Sequence, residues 1–203
     1  MIAAEEPVVR SFLSGLEPGR TLDVAAGTGR FASILVELGH EVIAADTSLE
    51  MLERGRAKAI RASFLRGDMR AIPLRSGSVD LVACGLALTH VPDLGAPIAE
   101  MARVVRPGGR VLLSDVHPFA VATGAQAMFK AADGARGVAR NHVHWPSAYL
   151  DAFATAGLRV ERAAEPQVDD AFIQELGSEE LRDAARPALV GLPLVLIWLL
   201  GKE

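Results

Sequence analysis

A short apolar run passes into a helical repeat through two glycines near the start of the chain, and this junction limits the fold more than any other feature. Residues 21–26 read as a buried strand. Phe31, Ile34, Leu35 and Leu38 then recur at helical spacing, and Gly39 supplies a helix stop. Gly27 and Gly29 lie between the two patterns. A strand that enters a helix through Gly-x-Gly leaves the helix's first N–H groups open and lets a ligand approach the main chain. That is the opening unit of a parallel sheet with helices on both faces.

The same alternation continues along the chain. A second strand over residues 41–46 leads into Thr47 and Glu50, which have capping-box spacing for the next helix. Strands follow at 63–67 and 79–84, then a helix over 93–105, a break at Arg106-Pro107-Gly108-Gly109, and a strand over 110–115. Residues 116–145 lose periodicity and are expected as an insertion, irregular or in short helices, over the sheet's carboxyl edge. Residues 147–156 form a helix with Leu150 and Phe153 on its apolar side, and strands at 158–165 and 192–200 close the sheet. The apolar run 190–200 contains Gly191 and Pro193 and is far short of the ~20 residues of a membrane helix, so a buried strand is expected there.

The chain of 203 residues, half of them hydrophobic, suits one domain over 1–203 with one core. Its 21 basic and 25 acidic residues give a net charge of -4, with no footprint for nucleic acid or an anionic membrane. The partner implied is a small molecule, and a homodimer is left open. Cys84, the sole cysteine, lies in an apolar run and suits a reducing compartment. Residues 1–10 hold Glu5, Glu6 and Pro7 instead of a basic start and an apolar stretch, so no secretory leader is expected and the cytoplasm is.

Residues 27–32 satisfy the dinucleotide pattern G-x-G-x-x-[GA], and Asp46 follows near the interval of about 20 residues where a ribose-binding acid is placed. The loop therefore names a nucleotide without saying which. Charge separates the candidates. Asp23 would bring a carboxylate toward the pyrophosphate of a dinucleotide, whereas it would attract the ammonium and sulfonium of S-adenosylmethionine.

With Asp23, Ala25, Gly27 and Gly29 on an acid-x-Gly-x-Gly-x-Gly motif, the chain resembles the class I S-adenosylmethionine-dependent methyltransferases, and within them the type 11-like group acting on small molecules. Ala25 stands where the family's first glycine is usual, and an ordinary extended backbone is expected to accept it. The resemblance extends over roughly residues 21–115. It implies a doubly wound, Rossmann-like α/β fold with a seven-stranded, mostly parallel sheet. It implies donor contacts from Asp23, Ala25, Gly27, Thr28, Gly29, Asp46, Thr47 and Met51. Gly67-Asp68-Met69 resembles the adenine-binding segment, and Cys84-Gly85-Leu86 the turn along the methionyl part. The implied cofactor is S-adenosylmethionine, with S-adenosylhomocysteine as product.

Acceptor chemistry is carried by fewer signals. His90, His117, His142 and His144 follow strand ends on the expected ligand side, whereas His40 does not. His117, His144 and His90 are the candidate general bases for a hydroxyl acceptor, which slightly favours O-methylation over N- or C-methylation. Phe119, His142, Trp145 and Tyr149 are candidates for the acceptor pocket. No metal site is expected, because His142 and His144 lack nearby carboxylates or cysteines. The alternatives are a nicotinamide-dependent oxidoreductase on the same loop and a protein that binds the methyl donor without turnover.

Overall fold

The computed structural model describes residues 1–58, 60–130 and 136–203. The chain runs through α1 (Ile2–Leu13), β1 (Arg20–Val24), α2 (Arg30–Glu37), β2 (Glu41–Asp46), α3 (Leu49–Ala57), β3 (Ala62–Arg66) and β4 (Val79–Gly85). A 3-10 turn at Leu88–His90 leads to α4 (Gly95–Val104) and the long β5 (Val105–Val116). Next come α5 (Pro118–Ala122) and the strands β6 (Ala127–Lys130) and β7 (Arg136–Ala139), which pair with each other apart from the main sheet. The chain ends in α6 (Pro146–Thr155), β8 (Leu158–Ala164), α7 (Asp170–Gln174), α8 (Glu179–Leu189) and β9 (Val195–Lys202).

The main sheet has seven strands in the order β3-β2-β1-β4-β5-β9-β8. All neighbours are parallel except that β9 runs against both β5 and β8. Its inner strands are apolar on both faces, as strands covered on both sides must be. Leu22, Val24, Val82, Cys84, Val111 and Leu113 face one core with Ile98 and Met101 of α4 and Tyr149 and Phe153 of α6. Ala44, Leu81, Ala83 and Leu112 face the other with Val9, Phe12 and Leu13 of α1 and Phe31, Ile34 and Leu35 of α2. The result is the doubly wound α/β architecture. Strand order reverses beside β1, so the carboxyl ends of β1 and β4 flank the crevice where ligands of such sheets bind.

Several local expectations are corrected. Ser48, not Thr47, caps α3: its hydroxyl accepts from the Met51 N–H at 3.3 Å. The final strand begins at Val195, because Gly191 and Leu194 donate to Val168 and Pro166 and Leu192 accepts from Val168, which takes this stretch out of the main ladder. In α6 the buried pair is Tyr149 and Phe153, one helical turn apart, and Leu150 is exposed. Helices α7 and α8 occupy a stretch with no element expected, and α5 with the β6–β7 hairpin gives residues 116–145 more order than the fading periodicity implied. Among the described residues no helix is long and apolar enough to cross a membrane.

Candidate functional site

The chain turns sharply where β1 ends. Ala25, Gly27 and Gly29 have φ of +54°, +56° and +82°. The extended backbone expected at Ala25 is therefore corrected: the alanine sits in the left-handed region, where its Cβ costs roughly 1–2 kcal/mol relative to glycine's freedom. The two glycines serve different ends. Gly29 has the more positive φ, where a side chain is strained, and a Cβ there would also press at 2.7 Å on Ile60 Cδ1, a side-chain tip that can shift. A Cβ on Gly27 would meet nothing within 4 Å, so Gly27 presents open main chain.

Asp46, at the end of β2, fixes this loop. Its Oδ2 accepts from the Gly27 N–H and its Oδ1 from the Ser48 N–H, both at 2.8 Å. Each oxygen keeps accepting capacity for a ligand hydroxyl. Asp23 is buried beneath α2, where its Oδ2 accepts from the Ala32 N–H at 2.8 Å and ties the helix's first turn to β1. Burial pushes its pKa up to about 7, against the pull of that N–H and of Arg30.

Other expected contacts border the same crevice. Lys58 donates to the Thr28 carbonyl at 3.0 Å and to its hydroxyl at 2.7 Å, clasping the loop to the end of α3. The Thr47 carbonyl accepts from Arg66 at 3.2 Å, and Met51 is exposed on α3. The Asp68 carboxylate is gripped by Arg70, with Nη2 to Oδ2 at 2.6 Å and Nε to Oδ1 at 3.0 Å, which holds its pKa below the usual range. Met69 packs partly buried against the core. At the end of β4, Cys84 is fully buried and burial pushes its thiol pKa up, so it is a packing residue. A Cβ on Gly85 would strike the Phe31 ring at 2.8 Å, and Leu86 takes a positive φ of +55°.

Sequence reasoning missed two buried acids here. Glu5 of α1 is wholly buried, accepts from the Ser114 hydroxyl and lies 2.8 Å from Arg30, the residue directly after Gly29. Asp115, at the end of β5, accepts from the Tyr149 hydroxyl at 2.6 Å and from the Val116 N–H at 2.9 Å. Its pKa is raised by burial to about 7, although both donors pull it down. Only the position of Asp115 at a strand's carboxyl end signalled it. The tyrosine expected to wall a pocket is thereby corrected: Tyr149 lies in the core against Phe153 and Trp198.

The structure separates the candidate histidines. His117 caps α5, its Nδ1 accepting from the Phe119 N–H at 3.2 Å, which puts the ring proton on Nε2 facing Glu165 at 3.5 Å. His144 lies beside the Val91 carbonyl at 2.8 Å, so Nε2 donates there and Nδ1 is left to accept. It lines a cavity of about 420 Å³ with Asp93, Leu94, Ala148 and Asp151, between α4 and α6. His142 stacks on His144 at 6.3 Å, and its N–H donates to the Thr89 carbonyl at 2.7 Å. His90 lines a different cavity, of about 180 Å³, with Leu86 and Val116. Phe119 and Trp145 are largely exposed.

Residues 22–113 match the family model described as a methyltransferase domain. Over this stretch the chain is similar to a methyltransferase domain. It is 39% identical over 106 residues to a demethylmenaquinone methyltransferase of Renibacterium salmoninarum, covering 51% of this chain and 45% of that protein. It is 42% identical over 93 residues to a malonyl-[acyl-carrier protein] O-methyltransferase of Yersinia pestis, covering 46% of this chain and 35% of that protein. The chain thus spans less than half the length of these curated relatives. An S-adenosylmethionine-dependent methyltransferase structure from Mesorhizobium loti superimposes with a TM-score of 0.74 at 26% identity, over 97% of both chains. A structure from Listeria monocytogenes shares the fold at a TM-score of 0.75 and 17% identity over the full length of both.

Proposed function

We propose that the chain transfers the methyl group of S-adenosylmethionine to a small-molecule acceptor. The observation that carries this reading is the open surface over Gly27, at the strand-order reversal, with the Asp46 carboxylate already holding the loop from the neighbouring strand. Asp46 would hold the ribose hydroxyls, Met51 and Asp68-Met69 would border the adenine, and Gly85 and Leu86 would line the methionyl part. When bound, S-adenosylmethionine supplies an electrophilic methyl carbon that needs no further activation. The chain's own contribution is to orient the acceptor for in-line attack and to exclude water.

The match to the family model stops at residue 113, before the end of β5. Two relatives named for different acceptors are each similar to about half of this chain. On this reading residues 22–113 would recognise the donor, and residues 116–145 with the start of α6 would select the acceptor. A hydroxyl acceptor favours O-methylation, and its proton needs an accepting nitrogen such as Nδ1 of His144 or the ring of His90.

Calorimetry against S-adenosylmethionine, S-adenosylhomocysteine and oxidised nicotinamide dinucleotide tests the donor. Binding of the dinucleotide alone would replace the reading with an oxidoreductase. A metabolite screen for methyl transfer then separates turnover from mere binding.

A further inference from the structure

The cavity beside His90 opens off the carboxyl ends of β4 and β5 and is lined by Met1, Leu86, His90, Val116, Ala125, Gln126, Ala127 and Asn141. Asn141 is nine-tenths buried, and its side chain is oriented by its neighbours. Its Nδ2 donates to the Ala125 carbonyl at 3.1 Å, and its backbone N–H donates to Gln126 Oε1 at 3.0 Å. The remaining atom, Oδ1, is buried and has no hydrogen-bond partner among the described residues. A buried acceptor in this condition is destabilising until a donor reaches it.

We infer that this cavity is the acceptor subsite and that Asn141 Oδ1 receives an O–H or N–H of an uncharged, ring-sized group of the substrate. The inference rests on the methyl-transfer reading above and deepens it. Among the described residues no carboxylate, lysine or arginine lines the cavity, so a charged group would meet no counter-ion from them. Leu86, Val116, Ala125 and Ala127 provide apolar walls. A volume of about 180 Å³ exceeds the roughly 150 Å³ that admits a benzene ring in an apolar cavity. Its rim includes Leu86, on the turn assigned to the methionyl part of the donor, which places the two ligands side by side.

The probes are phenol and toluene, which share a ring and differ in one O–H donor, observed by ligand NMR in the presence of S-adenosylhomocysteine. Phenol should bind in preference to toluene, and Asn141→Leu should weaken phenol about tenfold while leaving toluene and S-adenosylhomocysteine unchanged. Ala127→Leu fills the cavity without touching Asn141 and should weaken both rings. An unchanged melting temperature identifies variants that keep the fold. Equal binding of phenol and toluene, or phenol binding that survives both substitutions, overturns the subsite. Failure of S-adenosylhomocysteine to bind the unsubstituted protein would instead sink the methyl-transfer reading.

Discussion

The Tyr149 hydroxyl donates to Asp115 Oδ2 at 2.6 Å inside the core, linking α6 to the carboxyl end of β5. This bond lies next to the edge where the ligands would sit. Burial pushes the Tyr149 hydroxyl far above its ordinary pKa, with the Asp115 charge adding to the effect, so it remains a donor. Asp115 is the group that titrates. Its pKa rises on folding from 3.8 to about 7, and the native state holds the proton more tightly than the unfolded chain. Its contribution to stability is full below pH 3.8 and is lost as pH climbs toward 7.

Tyr149→Phe should therefore cost more at pH 8 than at pH 5, because the hydroxyl stabilises the charged carboxylate more than the neutral acid. The expected loss is about 1–2 kcal/mol at the higher pH. Thermal unfolding at both values checks it. Equal losses would mean that Asp115 does not change charge between them.

Ala25→Gly should stabilise the protein by about 0.5–1 kcal/mol, since it relieves a left-handed alanine and pays part of that gain back in unfolded-chain entropy. Urea unfolding gives the answer. A destabilised variant would indicate that Ala25 adopts the extended backbone that its sequence first suggests.

The β1–α2–β2 unit was legible because glycines, apolar spacing and strand-end acids agree there. The same holds for most of the sheet through β5. The register of α6 was not, because Leu150 and Tyr149 both fit an apolar stripe and only the Asp115 partner decides between them. Helices α7 and α8 did carry local signals. Asp169 accepts from the Phe172 N–H and Ser178 from the Leu181 N–H, two side-chain caps of the kind that mark helix starts. In the site, loop glycines and Asp46 were readable from spacing. Glu5 was not, since a glutamate on an N-terminal helix is ordinarily solvated and its burial depends on Ser114 and Arg30, which are distant in sequence.

Glu5→Ala should destabilise the protein by about 2–4 kcal/mol. It strips a buried hydroxyl and a guanidinium of their shared partner, and the Arg30 side chain is only 27% exposed to regain water. Glu5→Gln keeps an acceptor for Ser114 and should lose less. Denaturant midpoints for both variants provide the comparison. A loss under about 0.5 kcal/mol in the alanine variant would show that α1 docks through its apolar face alone.

Asp46→Ala should weaken S-adenosylhomocysteine binding by about 1–3 kcal/mol, the range for removing a charged acceptor from a polar contact. The carboxylate also holds the Gly27 and Ser48 N–H groups, so a loosened loop would weaken binding too. Lys58→Ala separates the causes. It removes the clasp on Thr28 and leaves Asp46 in place, so it loosens the loop while keeping the ribose acceptor. Calorimetry on both variants should show a much larger loss for Asp46→Ala. Equal losses would assign Asp46 to loop support and remove it from direct recognition of the ribose.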